Sequence, residues 1–310
     1  MWTEQACGKV ILLGEHAVVY DQPALAAGLS RGAEATFTPS KNADEVTLDL
    51  EDLVMGITRS GDTDLARALG AALDALSALG ATEKLTGHVR AKLLLPPGGG
   101  VGSSAALGVA VARALAHGAL GRALTSQEAV QCATAWEKVF HGTPSGLDHT
   151  AAVYGGVGLF TRAGGWKPMR ISSPLRVLFA DTGERTPTKE TVGNVAKLRE
   201  RRPIVVDGAC ESIGILVRNA ALALESGDLK GLGQLMDLNQ NLLAGLMVST
   251  ERTETLCRVA RDHGALGAKL TGGGGGGCVI AITHEGDEAR VLDAWRAEGA
   301  PVFEATIACE

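Results

Sequence analysis

The chain has 310 residues, 45% of them apolar and 21% charged, with a net charge of −6. That length supports large buried cores and predicts two domains, and the composition is that of a soluble globular protein. An acidic balance with no basic stripe argues against nucleic acid as a partner.

The six cysteines (7, 132, 210, 257, 278 and 309) are scattered without a C-x-x-C pair. This speaks against a disulfide framework or a zinc site and fits a reducing compartment. No basic segment precedes an apolar run at the N-terminus, so no signal peptide is expected. The uncharged window 93–112 is long enough to span a bilayer, but its prolines and glycines break such a helix. A cytoplasmic protein with no membrane partner is expected.

In chain order, GKVILLGEHAVVY (8–20) reads as a strand at Val10–Leu13, a Gly14 turn and a second apolar segment, with Lys9, Glu15 and His16 flanking the strand. Residues 33–38 and 45–50 alternate apolar with polar and predict half-exposed strands. The spacing of Leu65, Leu69, Leu73 and Leu76 predicts a helix over 62–79. His88–Leu95 predicts a strand that runs into the stretch around which the rest is organised, LLLPPGGGVGSSAAL (93–107).

There Pro96 and Pro97 stop the strand, Gly98, Gly99, Gly100, Val101 and Gly102 form a turn, and Ser103-Ser104 open a buried helix through Ala105–Leu115. A glycine turn entering a helix N-terminus leaves backbone N–H groups pointing outward, at the end where the helix dipole is positive. Missing Cβ atoms let an anion, most often a phosphate, approach those amides. One serine hydroxyl can cap the helix or turn toward a metal ion.

Thr125 and Glu128 have the capping-box spacing and predict a helix to about Phe140, with Glu137 near its end. Gly142, Pro144 and Gly146 make the following segment, HGTPSGLD (141–148), an irregular loop, and a glycine-rich strand is expected over Ala151–Phe160. Gly164–Pro174 reads as a linker, dividing a domain over 1–173 from one over 174–310. The second half reads as a strand at Arg176–Asp181, a helix capped by Thr188 through about Glu200, and helices over 205–224, 229–246 and 252–263, the last capped by Ser249 or Thr250. Arg199-Glu200-Arg201-Arg202 reads as a solvated helix end. Strands over 267–271, 278–283 and 302–307, with a helix over 285–298, complete a split βαβ pattern and an α+β class.

Six consecutive glycines, Gly272–Gly277, lie between two of those strands. They contain a formal G-x-G-x-x-G, but a strand follows instead of a helix, which excludes a dinucleotide fold, and no Walker A motif is present. Ordering six glycines costs backbone entropy, so a flexible linker is the poorer reading and a second backbone surface over phosphates or substrate the better one. Lys9 and Asp148 are the proposed chemical pair. A carboxylate can take the proton of an acceptor alcohol, and an ammonium can stabilise the charge on a transferring phosphoryl group. Glu137 is a candidate Mg²⁺ ligand, since that ion takes one or two carboxylates beside phosphate oxygens.

CGKVILLGEHAVVY (7–20), PPGGGVGSSAA (96–106) and KLTGGGGGGC (269–278) resemble the three motifs of the GHMP sugar and small-molecule kinases. AWEKVFHGTPSGLDH (135–149), NQNLLAGLMVST (239–250) and GALGAKLTG (264–272) extend the likeness over essentially the whole length. GEH followed by AVVY is similar to members acting on mevalonate, whereas galactokinases usually read GEHTDY there.

The resemblance implies a ribosomal S5-like N-terminal domain, a ferredoxin-like C-terminal domain, and ATP with its phosphates over Gly98–Ser104. It implies Lys9 as the motif-one lysine, Asp148 as the base, and Ser104 with Glu137 as Mg²⁺ ligands. Glu15, His16, Thr188, Gly272 and Gly273 fall on the substrate side. Some members transfer phosphate with the lysine dominating, so the division between Lys9 and Asp148 stays open.

Arg185 or Lys189 is expected to meet the mevalonate carboxylate. The sequence departs from the family at Cys7, Asp21, Gly273 and His149, none of them a charged catalytic position. Phosphorylation of phosphomevalonate, homoserine or a sugar is the nearest rival, and a non-catalytic ligand sensor the rival of another class. A homodimer is implied by some relatives.

Overall fold

The computed structural model describes residues 1–51, 53–81, 84–142 and 144–307. The expectations for Thr143 and Cys309 lie outside the described residues. The chain divides into two compact units: residues 1–9, 31–97 and 102–155 form the first, and 10–30, 98–101 and 156–310 the second.

In the first unit, β5 (Gly87–Leu93) lies between the C-terminal half of β2 (Ala24–Pro39), antiparallel to it, and β3 (Val46–Leu50), parallel to it. The parallel pair requires a crossover. The chain makes it through β4 (Val54–Thr58), which hairpins back on β3, and helix α1 (Asp64–Ala78), capped by the Thr63 hydroxyl.

Helix α2 (Ser103–Leu120) is apolar all round, which suits a helix enclosed by others. It is long enough to cross a membrane, but 67% of it is buried inside the fold, where it packs on α1, on α3 (Ser126–His141) and on α4 (Leu147–Tyr154). Its Gly108 lies under the Trp136 ring: an added Cβ would stand 2.6 Å from that ring. Phe37, Leu48, Leu69, Val89, Val109 and Trp136 belong to one core.

The second unit holds a four-stranded antiparallel sheet of β8 (Leu175–Asp181), β9 (Gly267–Leu270), β10 (Cys278–Ile282) and β11 (Val302–Ile307), in the order β11-β8-β10-β9. That is the strand order of the expected ferredoxin-like pattern. Phe179 and Phe303 are register partners, and their rings stack 4.5 Å apart. Helices α5 (Thr188–Arg201), α6 (Pro203–Ser226), α7 (Leu229–Gly245), α8 (Glu251–Asp262) and α9 (Glu288–Ala297) complete it. Thr250 caps α8.

Several expectations are corrected. The strand foreseen from Ala151 begins only at Val157 (β6, Val157–Thr161), because residues 147–154 form α4, with Leu147, Ala151, Ala152 and Val153 among its buried residues. The linker foreseen at Gly164–Pro174 contains β7 (Gly165–Met169), which pairs with β6. Thr188 is the first residue of α5, not its cap; Pro187 holds that place and contributes no side-chain bond. The segment after Gly14 is a 3₁₀ turn, Ala17–Tyr20, and β1 runs from Trp2 to Leu13. Arg199 is not simply solvated: it pairs with Asp207 at 2.5 Å and lies over the Tyr20 ring.

Gly108→Ala should therefore destabilise the protein by about 1–3 kcal/mol by overpacking, as measured by urea unfolding. Gly208→Ala, at an exposed α6 position with nothing near the new Cβ, should stabilise it by about 0.5–1 kcal/mol. Equal effects at the two positions would contradict this packing.

Candidate active site

In the first unit β1 (Trp2–Leu13) carries Lys9 inward until its side chain is 3% exposed. A buried ammonium is costly unless paired. Its Nζ lies 2.6 Å from Asp148 Oδ1. Asp148 is the second residue of α4, where the helix dipole favours an acid. Burial alone would raise the Asp148 carboxyl, but the charge and hydrogen bond of Lys9, helped by His141 and His149, hold it below the usual carboxylate range.

Gly102, the N-cap of α2, sits against Lys9. A Cβ there would be 3.0 Å from the lysine Cβ, and φ is +74°. Only glycine meets both demands, and it brings no capping oxygen to the helix amides that follow.

Ser104 donates its hydroxyl to Glu137 Oε1 at 2.6 Å. Glu137, on the last turns of α3, is 1% exposed. Burial pushes its carboxyl up to about 7; the Ser104 bond opposes this, Asp148 adds to it and Lys9 reduces it. His141 Nε2 stands 3.4 Å from Glu137 Oε2.

Among the described residues no cluster of three or more His, Cys, Asp or Glu could hold a metal ion. Mg²⁺ does not need one, since it keeps waters and takes phosphate oxygens beside one or two protein oxygens. A serine hydroxyl on a buried carboxylate whose pKa is raised by burial fits such an ion. His149 has a structural part: the Thr134 hydroxyl donates to the Val130 carbonyl at 2.7 Å and so accepts from His149 Nε2 at 2.9 Å, which ties α4 to α3. Burial lowers the pKa of His149, with Asp148 opposing.

In the second unit Glu15 and Lys269 form an ion pair with both side chains 0% exposed. Asn239 Nδ2 of α7 reaches the other Glu15 oxygen at 3.4 Å. Gln240, the next residue, accepts from the Leu270 amide at 2.9 Å. Thr271 bonds the Ile11 amide and carbonyl at 3.1 and 3.2 Å. His16 is buried with φ +59°, a strained value for a side-chain-bearing residue, and its Nε2 donates to the Gly273 carbonyl at 2.9 Å. Burial lowers the pKa of His16, and that bond only partly opposes it.

The two glycine-rich segments meet backbone to backbone: a Cβ on Gly100 would be 2.6 Å from the Thr271 carbonyl oxygen. One on Gly273 would be 3.0 Å from Thr188, so the glycine that departs from the family pattern makes room for that threonine. Arg185, expected to face a substrate carboxylate, presents its fork to Asp181 instead, at 2.8 and 2.6 Å. Lys189 is exposed in the first turn of α5.

Residues 65–156 match the family "GHMP kinases N terminal domain" and residues 220–301 match "GHMP kinases C terminal". The chain is 36% identical over 298 residues to the mevalonate kinase of Pyrococcus horikoshii, covering 89% of this chain and 87% of the relative. The chain belongs to the GHMP kinase family.

The mevalonate kinase of Aeropyrum pernix is 34% identical and is matched over 98% of this chain and 95% of its own. The crystal structure of L. major mevalonate kinase in complex with R-mevalonate superposes with a TM-score of 0.87 at 31% identity, covering 100% of this chain and 97% of that one. A Lactococcus lactis galactokinase, at 18% identity and a TM-score of 0.82, shares the fold.

Sequence reasoning about this GHMP kinase missed Lys269, Asn239 and Gln240. A lysine inside the apolar strand GAKL was the available signal, because a charge is almost never buried unless paired.

Removing one partner of a buried pair strands the other charge. Lys269→Met should cost about 3–5 kcal/mol in urea unfolding, and adding Glu15→Gln should recover part of it. A Lys269→Met loss under about 1 kcal/mol would contradict the pairing.

Glu137 has its folded pKa raised above the ordinary 4.5. Its contribution to stability is therefore complete below about 4.5 and lost as pH rises through about 7. In the ligand-free protein, wild type should lose on the order of 3 kcal/mol relative to Glu137→Gln across that window. A pH-independent difference would contradict the burial of this carboxylate.

Proposed function

We propose that this chain transfers the γ-phosphoryl group of ATP to the primary hydroxyl of mevalonate, giving ADP and 5-phosphomevalonate. The observation that carries the reading is the Lys9–Asp148 pair, set beside an α2 N-terminus whose cap is glycine. Mevalonate kinases matched over most of their length supply the acceptor.

In the Pro97–Ser104 loop, the backbone amides of Gly98–Ser104 would hold the phosphates, forming strong bonds to an anion without reorganising, while Pro97 supplies no N–H and sets the turn. Ser104 and Glu137 are the residues that would hold Mg²⁺, which, when bound, neutralises charge on the phosphates. Lys9 sits ready to stabilise the negative charge that spreads over the transferring group.

Asp148 takes the acceptor proton as the new O–P bond forms and the bond to the ADP oxygen breaks. Its lowered pKa keeps it ionised at neutral pH but makes it a weak base. A loose transition state asks little of a base until the P–O bond is forming. Lys9 therefore contributes charge throughout, and Asp148 receives the proton late.

Glu15, His16, Thr188, Gly272 and Gly273 form the substrate side of this reading, with Glu15 held by Lys269 and His16 by the Gly273 carbonyl. With the Arg185 fork occupied by Asp181, Lys189 remains the candidate for the mevalonate carboxylate. Cys132, Cys210, Cys257 and Cys278 are buried free thiols, as suits a reducing cytoplasm.

Asp148→Asn should lower kcat by about 10²- to 10⁴-fold while the ATP dissociation constant, measured by calorimetry, stays within about threefold. Near-full turnover would remove Asp148 from the reaction. In an ADP-release assay across mevalonate, phosphomevalonate, homoserine and galactose, mevalonate should give the highest kcat/KM; preference for another alcohol would overturn the substrate.

A further inference from the structure

The segment that follows β8 touches both glycine-rich loops of the second unit. Asp181, at the end of β8, is buried and accepts from the Gly183 amide at 2.9 Å. The same carboxylate takes both arms of the Arg185 guanidinium, and Arg185 Nη1 also donates to the Glu184 carbonyl at 2.8 Å.

These contacts fix the arginine in one pose, with its Cδ–Nε neck against Gly98. A Cβ on Gly98 would be 3.2 Å from both of those atoms. The adjacent Gly99 carbonyl accepts from the Cys278 amide at 3.0 Å. On the other side, the Thr182 amide and hydroxyl both donate to the Gly277 carbonyl, at 2.9 and 2.8 Å, and the Gly277 amide donates to the Glu184 carbonyl at 2.9 Å.

One short segment thus braces Gly98–Val101 and Gly272–Gly277 together. Its cation lies against the first of them.

We infer that Arg185 is a positioning residue for the nucleotide phosphates: locked by the Asp181 fork, it buttresses Gly98 and sets its charge beside the loop that takes the triphosphate. This rests on the proposed kinase reading and deepens it. Two features put Arg185 on the nucleotide side. A carboxylate substrate would need the two-pronged face that Asp181 already occupies. The part of the arginine that meets another segment, its neck, meets the phosphate loop. A fixed cation costs no reordering when the anion arrives, so its effect falls on nucleotide binding.

The test is steady-state kinetics of Arg185→Gln, Arg185→Lys, Asp181→Asn and the double variant Arg185→Gln/Asp181→Asn, with MgADP affinity of the wild type by calorimetry. Arg185→Gln should raise KM for ATP about 10- to 100-fold, with KM for mevalonate within about twofold and kcat within about threefold. Arg185→Lys, which keeps the charge but cannot span both carboxylate oxygens, should fall between wild type and Arg185→Gln. Asp181→Asn should also raise KM for ATP, and the double variant should be no worse than Arg185→Gln alone, since the two act as a unit.

A larger change in KM for mevalonate than for ATP, or no change beyond about twofold in either, would overturn the inference. Should Arg185→Gln melt well below wild type, Arg185→Lys and Asp181→Asn carry the same test. Wild type that binds MgADP but prefers another alcohol would sink the mevalonate reading and leave this one standing. Wild type that binds no MgADP would sink both.

Discussion

An ammonium group held almost out of water is the constraint on which the first unit depends. Lys9 is 3% exposed, and an unpaired charge in such a place would give up its proton or unfold its surroundings. Asp148 stands within 2.6 Å of it, which binds β1 to the start of α4 although 139 positions separate the two residues in sequence. Gly102 then has to lack a side chain, since Lys9 fills that space. The glycine that caps α2 and the lysine inside β1 are therefore one packing decision. The second unit repeats the device with Glu15 and Lys269, both fully buried.

Backbone proximity is the second theme. Gly100 and Gly272 approach so closely that a methyl on either would meet the other's peptide, and Gly274 and Gly276 lie likewise against Val248 and Glu184. The six-glycine run is thus an ordered arch packed on its neighbours. Its entropy cost is offset by hydrogen bonds such as Gly275 N–H to the Val248 carbonyl and Gly277 N–H to the Glu184 carbonyl. The surfaces suited to anions are made of peptide groups that side chains would have covered.

Much of this was legible in the sequence where the signal is local. The Thr125–Glu128 capping box formed as spaced, the 62–79 leucine period became α1, and the last four strands took their expected order. The family likeness also lies in local motifs. What was illegible depends on distant partners. Val153 and Tyr154 followed by two glycines favour a strand by propensity, yet Ala151 and Ala152 are small enough to bury on α4 and the helix wins. Lys269 pairs with a residue 254 positions away, so the strand pattern alone could not name its partner. Arg185 looked free for a substrate carboxylate because nothing in the sequence shows that Asp181, four residues earlier, points back at it.

The central claim, that the Lys9–Asp148 pair serves a triphosphate held on the bare amides entering α2, is tested most directly by a crystal structure with a non-hydrolysable ATP analogue and mevalonate. Phosphate oxygens within about 3 Å of backbone nitrogens between Gly98 and Ser104, with the γ-phosphate and the acceptor oxygen against Lys9 and Asp148, is the predicted result. A triphosphate bound away from those amides, or a reacting pair out of reach of both side chains, would contradict it.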